Sequence, residues 1–82
     1  MNSLNIYKVD AFWDDMAKVW VATSEDVLGL ATEADTIELL TDKLRVIIPE
    51  LLTLNGMMDT NQNTEITWEL ITNHQELITI AS

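Results

Sequence analysis

The chain reads as an α+β domain: a three- to four-stranded antiparallel-type sheet with one helix packed on a face, in the order β-β-β-α-β. Three observations predict it. Residues 4–13, 19–23 and 30–34 alternate or concentrate apolar side chains with the two-residue period of strands. A single run from Asp35 to Asn55 carries the helical period instead. A further alternating stretch, 65–72, follows a polar interval at 57–64. With 82 residues there is room for one domain and one core, so 1–82 is expected to fold as a unit.

In the first strand Tyr7, Val9, Ala11 and Trp13 share a face, and Ile6, Lys8, Asp10 and Phe12 share the other. The interval Asp14 to Lys18 is polar and short enough for a hairpin loop. The second strand, Val19 to Thr23, is dense in β-branched and aromatic residues, with Trp20 and Ala22 opposite Val19 and Val21. Both of its faces are apolar, more than one covering helix requires. Ser24, Glu25 and Asp26 suit a turn, and Gly29 marks a backbone position needing positive φ or close approach. The third strand is short.

Asp35 and Thr36 open the helix, and Asp35 with Glu38 three residues on has the spacing of a capping box. The helical period aligns Ile37, Leu40, Leu44, Ile47, Ile48, Leu51 and Leu54 in one stripe. Leu39 and Val46 fall opposite it. Pro49 removes a backbone donor and crowds the preceding turn, so a kink or restart is expected near Ile48. Asn55-Gly56 supplies a left-handed cap. Residues 57–64 form an internal polar linker, and Ile66, Trp68 and Leu70 then share a strand face. Asn73, His74 and Gln75 make a turn before a last short strand, Leu77 to Ile80, unless the strand continues without a break.

Charge excludes several function classes. Fourteen carboxylates against 4 cations give a formal charge of −10, which leaves nothing to replace the counterions of a nucleic acid, so no direct nucleic-acid binding is expected. The longest apolar region is interrupted by Asp42, Lys43, Arg45 and Glu50, so no membrane span is expected. The first residues lack the basic and apolar segments of a secretory signal, which points to a cytoplasmic protein. The absence of cysteine excludes disulfides, thiolate metal sites and cysteine nucleophiles.

The inventory for catalysis is poor. Asp10 with Glu33, Asp35 or Glu65 is the one sketch of a two-metal nuclease site, and no spacing defines it. His74 is the sole imidazole and falls in a turn. Ser3, Ser24 and Ser82 have no base nearby, and Gly29 and Gly56 build no phosphate loop. No catalytic, metal or cofactor site is expected. Three tryptophans say more. Trp68, between Ile66 and Leu70, suits the core. Trp13, Trp20 and Ala22, with Leu39 and Val46 on the helix, are the candidate residues for a partner or oligomer interface. A domain this small gains buried area by self-association, a dimer first.

The stretch Trp20-Val21-Ala22-Thr23-Ser24-Glu25-Asp26-Val27-Leu28-Gly29, continuing through Asp35-Thr36 into Ile37-Glu38-Leu39-Leu40, resembles the HicB-like antitoxin-domain family. In that family a strand runs into an acidic turn, an Asp-x-x-Gly segment, a short strand and a Thr-capped helix. Asp26 to Gly29 and Asp35-Thr36 stand at those positions. Val19 to Ser24, Leu44-Arg45-Val46 and Ile48-Pro49-Glu50-Leu51-Leu52 are similar to a branch of solitary, uncharacterised single-domain relatives, which makes Pro49 a family feature.

The resemblance implies a degenerate ribonuclease-H-like fold without nuclease chemistry. It also implies a role in binding and masking a small basic partner, such as a HicA-like RNA-cleaving toxin, and an acidic surface suits that task. The Asp-Leu-Pro-Gly-Cys segment of the wider family reads Asp26-Val27-Leu28-Gly29-Leu30 here, without proline or cysteine. No separate DNA-binding domain is expected, so operator binding is not implied. The alternative is a solitary homo-oligomer or small-ligand-binding domain.

Overall fold

The computed structural model describes residues 6–57, 65–73 and 78–81. Strands β1 (Ile6–Asp14), β2 (Val19–Thr23) and β3 (Ala31–Ala34) form an antiparallel meander, followed by helix α1 (Ile37–Leu54) and strand β4 (Thr67–Asn73). The strand order is β3-β2-β1-β4. β4 joins the sheet beside β1 and runs parallel to it, so the sheet is mixed and not antiparallel throughout. The reason is the crossover. An 18-residue helix is about 27 Å long, enough to return the chain to the starting end of the sheet before β4 begins.

The register sorts the two faces. Ala11 pairs with Ala22, and Ala22 with Thr32; Trp13 pairs with Trp20, and Trp20 with Ala34; Tyr7 pairs with Trp68, and Val9 with Leu70. All of these lie on the side covered by α1. Val9, Ala11, Ala22 and Ala34 are buried there beneath Leu40, Leu44, Ile48 and Leu52. Small side chains at the sheet centre let the helix approach closely, and its leucines fill the space. Val27 and Leu30, from the loop after β2, close one end of this core.

The loop between β1 and β2 is fastened by Asp14, whose Oδ1 accepts from the backbone N–H groups of Met16 (3.1 Å) and Ala17 (3.2 Å). Lys18 takes φ +60° to complete it. The cap of α1 is Thr36, not Asp35: its hydroxyl accepts from Leu39 N at 3.1 Å, one of the orphan donors of the first turn. Thr36→Ala should therefore cost about 1 kcal/mol, read as a lowered urea midpoint with an unchanged slope.

The buried row of α1 is Leu40, Leu44, Ile48 and Leu52. Leu54, placed on the stripe from sequence, is 80% exposed, whereas Leu52 of the same last turn is buried and continues the row at four-residue spacing. No restart occurs at Pro49; the helix runs unbroken from Ile37 to Leu54, held by the buried Ile48 and Leu52 on either side of the proline. It ends as a Schellman motif: Gly56 N donates to Thr53 O (3.1 Å), Met57 N donates to Leu52 O (2.8 Å), and Gly56 has φ +70°.

The polar linker at 57–64 is described only at Met57, and the rest of it, with His74 and Gln75, lies outside the described residues. Asn73, expected in a turn, is instead the last residue of β4, opposite Phe12. Residues 78–80 form no strand. Leu77, the first residue of the last strand expected from sequence, lies outside the described residues.

Candidate interaction surface

Among the described residues, one face of the sheet is open. Ile6, Phe12, Val19, Val21 and Ile71 lie on it, together with Lys8, Asp10, Glu33 and Glu69. Phe12 stands directly opposite Val21, and Asp10 lies between Thr23 on one side and Ile71 on the other. Phe12 is 45% and Ile6 44% exposed, in positions where β1 would be expected to bury apolar side chains if anything covered them. No described residue packs over this face. It is an apolar strip bordered by carboxylates.

The interface residues expected from sequence fall elsewhere. Ala22 is fully buried under α1 and is closed to any partner. Trp13 and Trp20 sit on the helix side, their rings edge to face with centroids 5.6 Å apart, and Trp20 packs against the core. Val46 (60% exposed) is open on the outer side of α1, and Leu39 (51%) borders the groove between the first turns of α1 and the sheet residues Val19 and Ala34. Sequence alone shows that β2 has two apolar faces. Which one the helix takes depends on tertiary packing, and the helix takes the Trp20 face, leaving Val19, Val21 and Phe12.

The motif residues are structural. Beyond the Asp10–Thr23 pair β2 ends, which would leave Lys8, paired with Glu69 of β4 on one side, without a partner on the β2 side. Asp26 Oδ2 accepts from Lys8 N (2.8 Å), and Ser24 Oγ donates to Lys8 O (2.6 Å). The same hydroxyl accepts from Asp26 N and Val27 N, both at 3.1 Å. Gly29 has φ +84°, a conformation that a side chain would strain. Asn55 Nδ2 donates to Leu28 O (3.0 Å), tying this loop to the end of α1.

The carboxylates are spread out. Asp10 and Glu33 stand two strands apart and out of line with each other, since Asp10 aligns with Ala31 through Thr23, and Glu33 with Phe12 through Val21. Asp35 is exposed in the turn before α1. Among the described residues no three Asp, Glu or His side chains converge as metal ligands. Two ion pairs occur among them, Lys18–Asp15 and Arg45–Asp42, each at 2.9 Å. The Lys18 ammonium, with the Trp13 indole N–H, holds the Asp15 carboxyl below the ordinary aspartate range. A groove of about 370 Å³ lies between β3 and the first turns of α1, lined by Ala34, Leu39, Asp42 and Lys43.

A family model described as a domain of unknown function, DUF1902, matches residues 6–81. The chain belongs to that family. The DUF1902 match spans all five elements, so the open face and the Ser24–Gly29 loop are parts of the family domain. A solved structure of a hypothetical protein from the extremely thermophilic bacterium Thermus thermophilus is similar, with 43% identity and a TM-score of 0.76, over 90% of this chain and 100% of that one. No curated protein matches. No described helix is long and apolar enough to cross a membrane.

Proposed function

We propose that this DUF1902 domain is a non-enzymatic, cytoplasmic interaction module of the HicB-like antitoxin type that binds and masks a small basic protein. The observation that carries this is the open sheet face, an apolar strip of Phe12, Val21 and Ile71 beside Asp10, Glu33 and Glu69 on a chain of charge −10. Every described carboxylate is exposed or half-buried, and no described polar or charged residue is buried. Such a surface accelerates encounter with a cationic partner, and the apolar strip supplies the contact that survives screening. The resemblance of residues 20–40 to HicB-like antitoxins supports the partner class. A HicA-like toxin, small and rich in Lys and Arg to hold RNA, has the required charge.

The test is co-purification of the tagged chain from its native host, followed by binding measurements with the basic protein recovered. A complex whose association rate falls steeply with salt, and which Phe12→Ala weakens by about tenfold, is the expected result; a tenfold loss corresponds to about 1.4 kcal/mol. Recovery of the chain with no basic protein, under conditions where it is folded and abundant, would overturn the proposal.

A further inference from the structure

The two edges of the sheet are built differently. The β3 edge is four residues long and guarded, because Lys43 Nζ donates to the backbone carbonyl of Glu33 at 2.6 Å. A lysine on a short edge is a device that discourages strand addition. The β4 edge is seven residues long, contains no proline, and carries one charge, Glu69. Its outer side pairs with no described strand. The helix approaches β2 and β3 most closely and stands away from β4, where Trp68 and Leu70 are only half-buried. The helix-side core thus stops short at this edge, with Trp68 part-uncovered.

We infer that β4 pairs with β4 of a second copy across a two-fold axis, giving a continuous eight-stranded sheet with both helices on one side. A two-fold perpendicular to the sheet makes the new pairing antiparallel and keeps like faces together. Charge selects the register. Centring on Glu69 sets this carboxylate against its own symmetry mate, in a pair of domains each of charge −10. Centring on Ile71 leaves Trp68 without a cross-strand neighbour in β4. Centring on Leu70 pairs all seven residues: Leu70 with Leu70 of the partner subunit, Trp68 with Thr72 of the partner subunit, and Glu69 with Ile71 of the partner subunit. The helices stand over the far strands and do not collide. The open faces of both copies remain side by side on the opposite surface, so this pairing is independent of the basic partner proposed above.

Because the chain contains no cysteine, single cysteines report the register directly. Light scattering of the unaltered chain at high micromolar concentration is expected to give about twice the protomer mass of 9.3 kDa. Leu70→Cys should then form an intermolecular disulfide under mild oxidation. Glu69→Cys, set on the diagonal about 7–8 Å from its own symmetry mate, should not, and Thr72→Cys, farther still from its mate, should not either. A monomeric mass, equal cross-linking at all three positions, or efficient cross-linking through Phe12→Cys instead of Leu70→Cys would each overturn the inference.

Discussion

Leu44→Ala should lower stability by about 3 kcal/mol, within a range of about 2–5. Leu44 is fully buried at the middle of the row Leu40, Leu44, Ile48 and Leu52. The sheet beneath the helix is alanine-rich, with Ala11, Ala22 and Ala34 all buried. Alanines cannot extend into the space a lost leucine leaves, so the cavity collapses only partly and its cost adds to the lost transfer free energy. The consequence is severe at this size. An 82-residue domain has roughly 4–12 kcal/mol of stability in total. The melting temperature should fall by roughly 10–25 °C, at about 4–8 °C per kcal/mol for a domain of this length. Urea unfolding followed by tryptophan emission measures it, with Val46→Ala, on the outer side of α1, as a control that should shift by less than about 0.5 kcal/mol. A loss below about 1 kcal/mol for Leu44→Ala would show that the helix is not seated as described.

Ser24→Ala should cost about 1 kcal/mol, more than the few tenths usual for a surface serine. Its hydroxyl donates one hydrogen bond and accepts two, joining Lys8 in β1 to the turn that delivers the buried Val27. Removing it leaves the Lys8 carbonyl and two backbone N–H groups without their partner, and the loop that closes one end of the core loses its anchor. Ser24→Thr keeps the hydroxyl and should recover most of the loss. Amide exchange separates the two side chains. Asp26→Ala should speed exchange of the Lys8 N–H, whose hydrogen bond Asp26 accepts, while Ser24→Ala should speed exchange at Val27 as well. If Ser24→Ala melts with the parent chain, the loop is held by Val27 and Leu30 packing alone.

These two sites show where sequence reading succeeds and where it stops. Leu40, Leu44 and Ile48 are visible from their helical spacing, because burial on one side imposes a period. Leu52 and Leu54 are both compatible with that period, and only the position of the helix end over the sheet decides that Leu52 is inside. Thr36 and Asp35 are both good caps, and the chain's path into the first turn selects Thr36. The antiparallel hairpins are legible from short loops. The parallel placement of β4 is not, because alternation along a strand says nothing of its neighbour. The polar interaction of Ser24 and Asp26 with Lys8 joins residues 16 and 18 positions apart, a separation that no local pattern records.

The candidate surface follows the same division. By itself the sequence determined an acidic, cysteine-free α+β domain of order β-β-β-α-β, with apolar residues on both faces of β2 and no clustered cations. Composition, period and turn chemistry are properties of residues and near neighbours, so they survive without a fold. Only the tertiary structure decided that the helix covers Trp20 and Ala22 and leaves Phe12, Val21 and Ile71 open. It also decided that one sheet edge is guarded by Lys43 while no described strand pairs with the other. One helix can cover one face of a single sheet, and which face it covers is settled by the fit of leucines over alanines.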